Sequence, residues 1–138
     1  MYQHIGVPVH LAHVESLGKA INTAADLATL YHSQLTLVAV TGPAPSEVAH
    51  NVDEFTAKLE SWAAQQSAEL GVKIETRVSV CNDPSADLDH VLDREFHELG
   101  VDLVVVASHI PGYREYIFHS NAGFLASHTD LSVLVVRG

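Results

Sequence analysis

The stretch VDLVVVASHIPGYREYIFHSNAGFLASHTDLSVLVVRG, residues Val101–Gly138, decides the fold. It holds two valine-rich apolar runs, Leu103–Ala107 and Val133–Val136, with no polar residue alternating through either. Continuous runs of this kind mark strands buried on both faces, as in a parallel sheet covered by helices. Between them the sequence predicts a loop over Ser108–His119 and a short helix starting near Ser120. In a parallel α/β sheet a ligand sits where a strand's carboxyl end passes through a loop into a helix N-terminus. If the chain has a site, this segment supplies its floor.

Upstream, Ile5–Val9 is a short apolar run with Pro8 near its end, where a missing N–H does least harm. Three- and four-residue steps from Leu17 through Ile21, Ala24 and Ala28 predict a helix over Glu15–Tyr31. Leu35–Val40 is a second strand, and Thr41–Val52, with Gly42, Pro43 and Pro45, is a loop and the expected mobile segment. Phe55, Leu59, Trp62 and Ala63 stripe the next helix, which Gly71 ends. The weaker alternation of Val72–Val80 suggests an edge strand. Asn82-Asp83-Pro84 is a turn, with Ser85 as N-cap. Leu88, Val91, Leu92, Phe96 and Leu99 stripe a further helix, while Asp87, Asp89, Asp93, Glu95 and Glu98 read as its solvated face. The order β-α-β-α-β-α-β-α-β predicts five parallel strands with helices on both faces. No linker, repeat or low-complexity tract divides the chain, so residues 1–138 read as a single domain.

Composition narrows the partners. Acids outnumber bases 17 to 7, for a formal charge of −10, and the bases are scattered. Nucleic acid and anionic membranes need a clustered basic surface, so neither is expected as a partner. No run approaches the length of a membrane span, and MYQHIGVPVH lacks the basic flank of a signal peptide. A lone cysteine, Cys81, excludes an intrachain disulfide and suits a cytoplasmic setting.

Three pieces, IGVPV, LTLVAV and VDLVVVASH…SNAGFLASH…LSVLVVRG, resemble the universal stress protein family in order and spacing along essentially the whole chain. ASH-x-P followed by Y-x-x-x-SNA resembles the short-loop bacterial branch, which has SHxP where nucleotide-binding members have GSHG. The resemblance implies an open five-stranded parallel sheet of order 3-2-1-4-5, Rossmann-like and akin to the adenine nucleotide alpha hydrolases. It also implies a homodimer through the last strand, Ser132–Arg137, and ATP or AMP as ligand at the mouth of the first and fourth strands. No common reaction is established for the family.

Carried over position by position, Pro8 matches a contact to the base, and His10 stands where an aspartate is usual. Val40 matches the residue whose backbone faces adenine. Ala107 takes the place of the first glycine of the phosphate loop, Ser108 and His109 match, and Ile110 takes the place of the second. The glycine-serine pair opening the last helix corresponds to His119 and Ser120, with Asn121 following. Glycine lets such a loop take unusual dihedrals and approach phosphate closely. Ala107 adds only a methyl, but a β-branched Ile110 is strained at positive φ. A neutral His119 obstructs, whereas a protonated one partly compensates by charge. Ser120 still offers a hydroxyl and helix amides to an anion.

The loops gather His10, His13, His109 and His119, but their spacing matches no known metal motif, so hydrogen-bonded or surface roles are expected. Adjacent Ser108 and His109 lack the geometry of a nucleophile and its base, and no acid completes a triad. Nothing near Cys81 in sequence marks it as a reactive thiol. No catalytic residue is assigned. The resulting reading is a small cytoplasmic, dimeric stress-response protein that acts by binding, with a degenerate adenine-nucleotide site and an unidentified protein partner. The alternatives are an ATP/AMP-binding member with slow hydrolysis through the same pocket, and an interaction module whose pocket is vestigial.

Overall fold

The computed structural model describes residues 1–45, 48–82, 84–107 and 130–137, with the side chains of His13, Ser16 and residues 84–87 left aside. Its elements are β1 (His4–Pro8), a 3-10 stretch (Leu11–Leu17), α1 (Gly18–Tyr31), β2 (Gln34–Thr41) and α2 (Val52–Leu70). They continue as β3 (Glu75–Val80), α3 (Pro84–Leu99), β4 (Leu103–Ala107) and β5 (Ser132–Val136). All strand pairs are parallel, in the order β3-β2-β1-β4-β5. The expected fold is the observed one. The helix expected near Ser120 lies outside the described residues.

The layers follow from handedness and alternation. The crossovers from β1 to β2 to β3 step the same way, so right-handed connections put α1 and α2 on one face. The crossover from β3 back to β4 puts α3 on the other. On β1, Gly6 faces α3, where a Cβ would lie 2.7 Å from Cε1 of Phe96. Ile5 and Val7 therefore point to the opposite face, and both are fully buried. The buried side of α1 is Ala20, Ile21, Ala24, Ala25 and Ala28, mostly methyls that let the helix lie close to the sheet.

Several local expectations shift. The first helix divides into the 3-10 stretch and α1, and His10 caps the former by accepting from the Ala12 N–H through Nδ1. Ser85 is not a cap: α3 begins at Pro84, whose fixed φ and missing N–H suit a first helical position. In the loop after β2, Ala49 is buried, Val48 packs on the core and Lys58 donates to the Val48 carbonyl. Gly71 does end α2, at φ 70, with its N–H on the Ser67 carbonyl.

Glu95 does not share a solvated face. It is 6% exposed, and its Oε2 accepts from Nη1 of Arg77 on β3 at 3.1 Å. A carboxylate is tolerated at that depth because the guanidinium of the neighbouring strand meets it. β5 also departs from the expectation of burial on both faces. β4 is buried throughout, but β5 is the sheet's edge, and Leu134 and Val135 are 37% and 41% exposed. Its apolar run is an edge left partly uncovered, not a core strand.

The amino end of the sheet is fastened by polar groups. The Asp102 carboxylate accepts from the backbone N–H of Gln3 and His4. The buried His4 ring joins three elements, with Nδ1 3.0 Å from the Leu99 carbonyl and Nε2 2.7 Å from Thr36 Oγ1. A carbonyl only accepts, so Nδ1 bears the proton and Nε2 accepts from the threonine hydroxyl.

Candidate functional site

The connections from β1 go to one side of the sheet and those from β4 to the other, so the switch point lies between these two neighbouring strands. β1 ends at Pro8, which pairs with Val38, whereas β2 runs on to Thr41. Val40 thus stands two residues beyond the end of β1, so the register of the sheet leaves a step, or stepped recess, at the strands' carboxyl ends. Val9 crosses it with its N–H on the Val38 carbonyl at 2.9 Å. The chain then turns at His10 into the 3-10 stretch.

The structure brings together four of the positions expected at a site: Pro8, His10, Val40 and Ala107 all lie at carboxyl ends of β1, β2 and β4 or just beyond. Pro8, His10 and Val40 are partly exposed, while Ala107 is 6% exposed. The methyl at Ala107 is therefore packed into the body of the protein. Ser108, His109, Ile110, His119, Ser120 and Asn121 lie outside the described residues.

His10 has a specific local task. Its Nδ1 accepts from the Ala12 N–H at 3.3 Å, so the neutral ring has its proton on Nε2. An aspartate in the same place would cap the turn with an acceptor on either oxygen. Imidazole keeps the cap and exchanges the second acceptor for a donor. Among the described residues no three His, Cys, Asp or Glu side chains gather into a metal-binding group.

A model of the Universal stress protein family matches residues 1–137, all but the last residue of the chain. The chain belongs to the universal stress protein family. Among curated relatives, Universal stress protein G of Shigella flexneri is 28% identical over 146 residues, covering 99% of this chain and 100% of its own. Among solved structures, universal stress protein UspA from Lactobacillus plantarum superposes with a TM-score of 0.73 at 17% identity, covering 99% of this chain and 98% of its own. A universal stress protein in complex with cAMP superposes at 0.67 with 22% identity, covering 98% and 97%. At such identities these two structures establish the fold alone.

In this universal stress protein one tie outside the expected site was not singled out by composition or spacing. Lys19, in the first turn of α1, donates through Nζ to the Arg137 carbonyl just past β5. It ties the helix that follows the recess to the far edge strand. The only signal in the sequence is a lysine at the start of a helix, which is too common to pick out. Cys81 follows β3, its N–H on the Thr41 carbonyl at 2.9 Å, so it extends the β2–β3 ladder past the recess. A separate groove of about 290 Å³ lies at the opposite end of the sheet, lined among others by Ala28, His32, Gln34, Lys73 and Glu75. It stands away from the switch point, where the geometry of parallel sheets puts ligands, and we assign it no part in the site.

Proposed function

We propose that this universal stress protein acts by binding and interaction, as a cytoplasmic homodimer with a weakened adenine-nucleotide site. The placing of Pro8, His10, Val40 and Ala107 at or just beyond the carboxyl ends of β1, β2 and β4 is the observation that supports the site most. It combines the switch point, the step between β1 and β2, and the end of β4 at Ala107, the residue before Ser108 in the sequence. The adenine nucleotide held by a solved neighbour of the same fold supports the ligand class. Ser120 and Asn121, opening the last predicted helix, would supply hydroxyl and amide donors to phosphate.

The weakening follows from Ile110 and His119, which stand in place of glycines. A β-branched residue forced to positive φ costs about 1–3 kcal/mol, so the phosphate-binding form of the loop is disfavoured. Ile110→Gly combined with His119→Gly is expected to tighten ATP binding roughly tenfold or more, read by calorimetric titration. An unchanged affinity would assign the weakening to the shortened loop and not to these side chains.

The dimer reading rests on β5. Its free edge presents Leu134 and Val135 to solvent, and an uncovered apolar edge is a template for another strand. Sedimentation equilibrium at micromolar protein is expected to give twice the chain mass of 14.9 kDa. A monomer under those conditions would remove the dimer from the account and leave the nucleotide site standing. No catalytic role is assigned to any residue.

A further inference from the structure

His97, in the last turn of α3, meets acceptors at both ring nitrogens. Nδ1 lies 2.7 Å from the Asp93 carbonyl oxygen and 3.4 Å from Oδ1 of the same residue. Nε2 lies 2.8 Å from Oδ1 of Asp130, two residues before β5. A carbonyl and a carboxylate have no proton to offer, so a neutral ring can satisfy only one side. The imidazolium satisfies both. Asp93 Oδ1 is itself buried without a hydrogen-bond partner, so a positive ring beside it offsets part of its lost hydration.

We propose that His97 is a pH-sensitive pin fastening the start of β5 to the end of α3. β5 is already held by its ladder with β4 from Ser132 to Val136, and the pin acts where that ladder begins. There the Ser132 N–H donates to the Asp102 carbonyl at 3.3 Å, and the Tyr2 hydroxyl donates to Ser132 Oγ at 3.1 Å. The charged groups set against the ring are Asp93 from its own helix and Asp130 from the segment ahead of β5, both carboxylates. These contacts hold His97 above the ordinary histidine value of 6.5, led by the hydrogen bond to the Asp93 backbone and then that to the Asp130 side chain. The hydrogen bond from His97 holds Asp130 below the ordinary 3.8.

The sign of the pH dependence follows. The histidine's contribution is complete below 6.5 and is lost as pH rises through its raised folded value. The aspartate's contribution is complete above 3.8 and is lost as pH falls through its lowered one. The pin is therefore closed between those limits and opens on the alkaline side first. Asp130 is 85% exposed, so water and salt screen the bond, and its reach is the local opening of β5 and not global stability.

The test is an NMR titration of the His97 ring in the full chain and in Asp130→Asn, with amide exchange followed at Ser132. In the parent protein the ring midpoint is expected above 6.5, and in Asp130→Asn it moves down. Exchange at Ser132, corrected for intrinsic base catalysis, is expected to rise about two- to fivefold as pH passes the midpoint. Asp130→Asn should show a much reduced step. The same midpoint in both proteins overturns the proposal, because Asp130 would then not face the charged ring. A midpoint that moves while Ser132 protection stays constant through the titration also overturns it, since the pair would form without fastening the strand. The ring midpoint reports on the pair whether or not β5 joins a second copy.

Discussion

Replacing Phe96 by alanine is expected to lower the free energy of unfolding by about 3–5 kcal/mol, the cost of removing a fully buried aromatic ring. Phe96 is 0% exposed and belongs to the central cluster with Leu92, Val101 and the valines of β4. Its Cε1 and Cδ1 stand where β1 lacks a side chain, at Gly6, so the ring reaches the middle of the sheet. Nothing of similar size is at hand to refill the space, because the opposing position has no side chain at all. Urea denaturation followed by circular dichroism measures the change. A loss under about 1 kcal/mol would mean that the ring is not the α3–sheet contact described here.

Gly6→Ala is the converse experiment and is expected to cost about 1–3 kcal/mol through overpacking. The added Cβ would lie 2.7 and 2.8 Å from two ring carbons of Phe96 and 3.1 Å from Cγ2 of Val101. A fully buried ring between a helix and a sheet cannot swing clear, so α3 must lift or β1 must shift. Gly6 is two residues before Pro8, and a shift of β1 would carry the recess with it. The two substitutions are coupled. With Phe96 already alanine, the Gly6 methyl enters the space that the ring left, so Gly6→Ala should cost less in that background than alone. Additive losses in the double-mutant cycle would contradict direct contact between the two positions.

The parts of the fold visible in the sequence were those where one physical rule acts alone. Leu103–Ala107 is apolar without alternation because helices or neighbouring strands cover it on every side, and β4 is buried throughout. Val133–Val136 looks the same on paper but lies at the edge of the sheet. A run of valines signals what a strand wants to bury, and whether it is buried depends on strand order, which hydropathy does not encode. Glu95 departs from expectation for a similar reason. Its place in the acidic series Asp87–Glu98 suggests solvent, and only the parallel pairing of β2 with β3 brings Arg77 beneath it. The first apolar run starts at Ile5, yet β1 starts one residue earlier, at His4, whose ring nitrogens meet the Leu99 carbonyl and the Thr36 hydroxyl.

At the site, the sequence supplied the positions and the sheet supplied their nearness. Pro8, His10, Val40 and Ala107 are scattered over about a hundred residues, and strand order alone gathers them at one end. The capping bond of His10 was not legible, because a histidine beside a helix start can point in many directions. It took the extended backbone at His10, φ −110 and ψ 109, to turn Nδ1 towards the Ala12 N–H.

The central claim is a binding site weakened but not abolished by the side chains that replace its glycines. It is tested most directly by isothermal titration of the nucleotide-stripped protein with ATP and with AMP, each with magnesium. The account predicts weak but saturable binding, in roughly the high-micromolar to millimolar range. Silence up to millimolar nucleotide would contradict it and leave an interaction module with a vestigial recess. Binding at low micromolar concentration or tighter would contradict it from the other side, since Ile110 and His119 would then be no hindrance to phosphate.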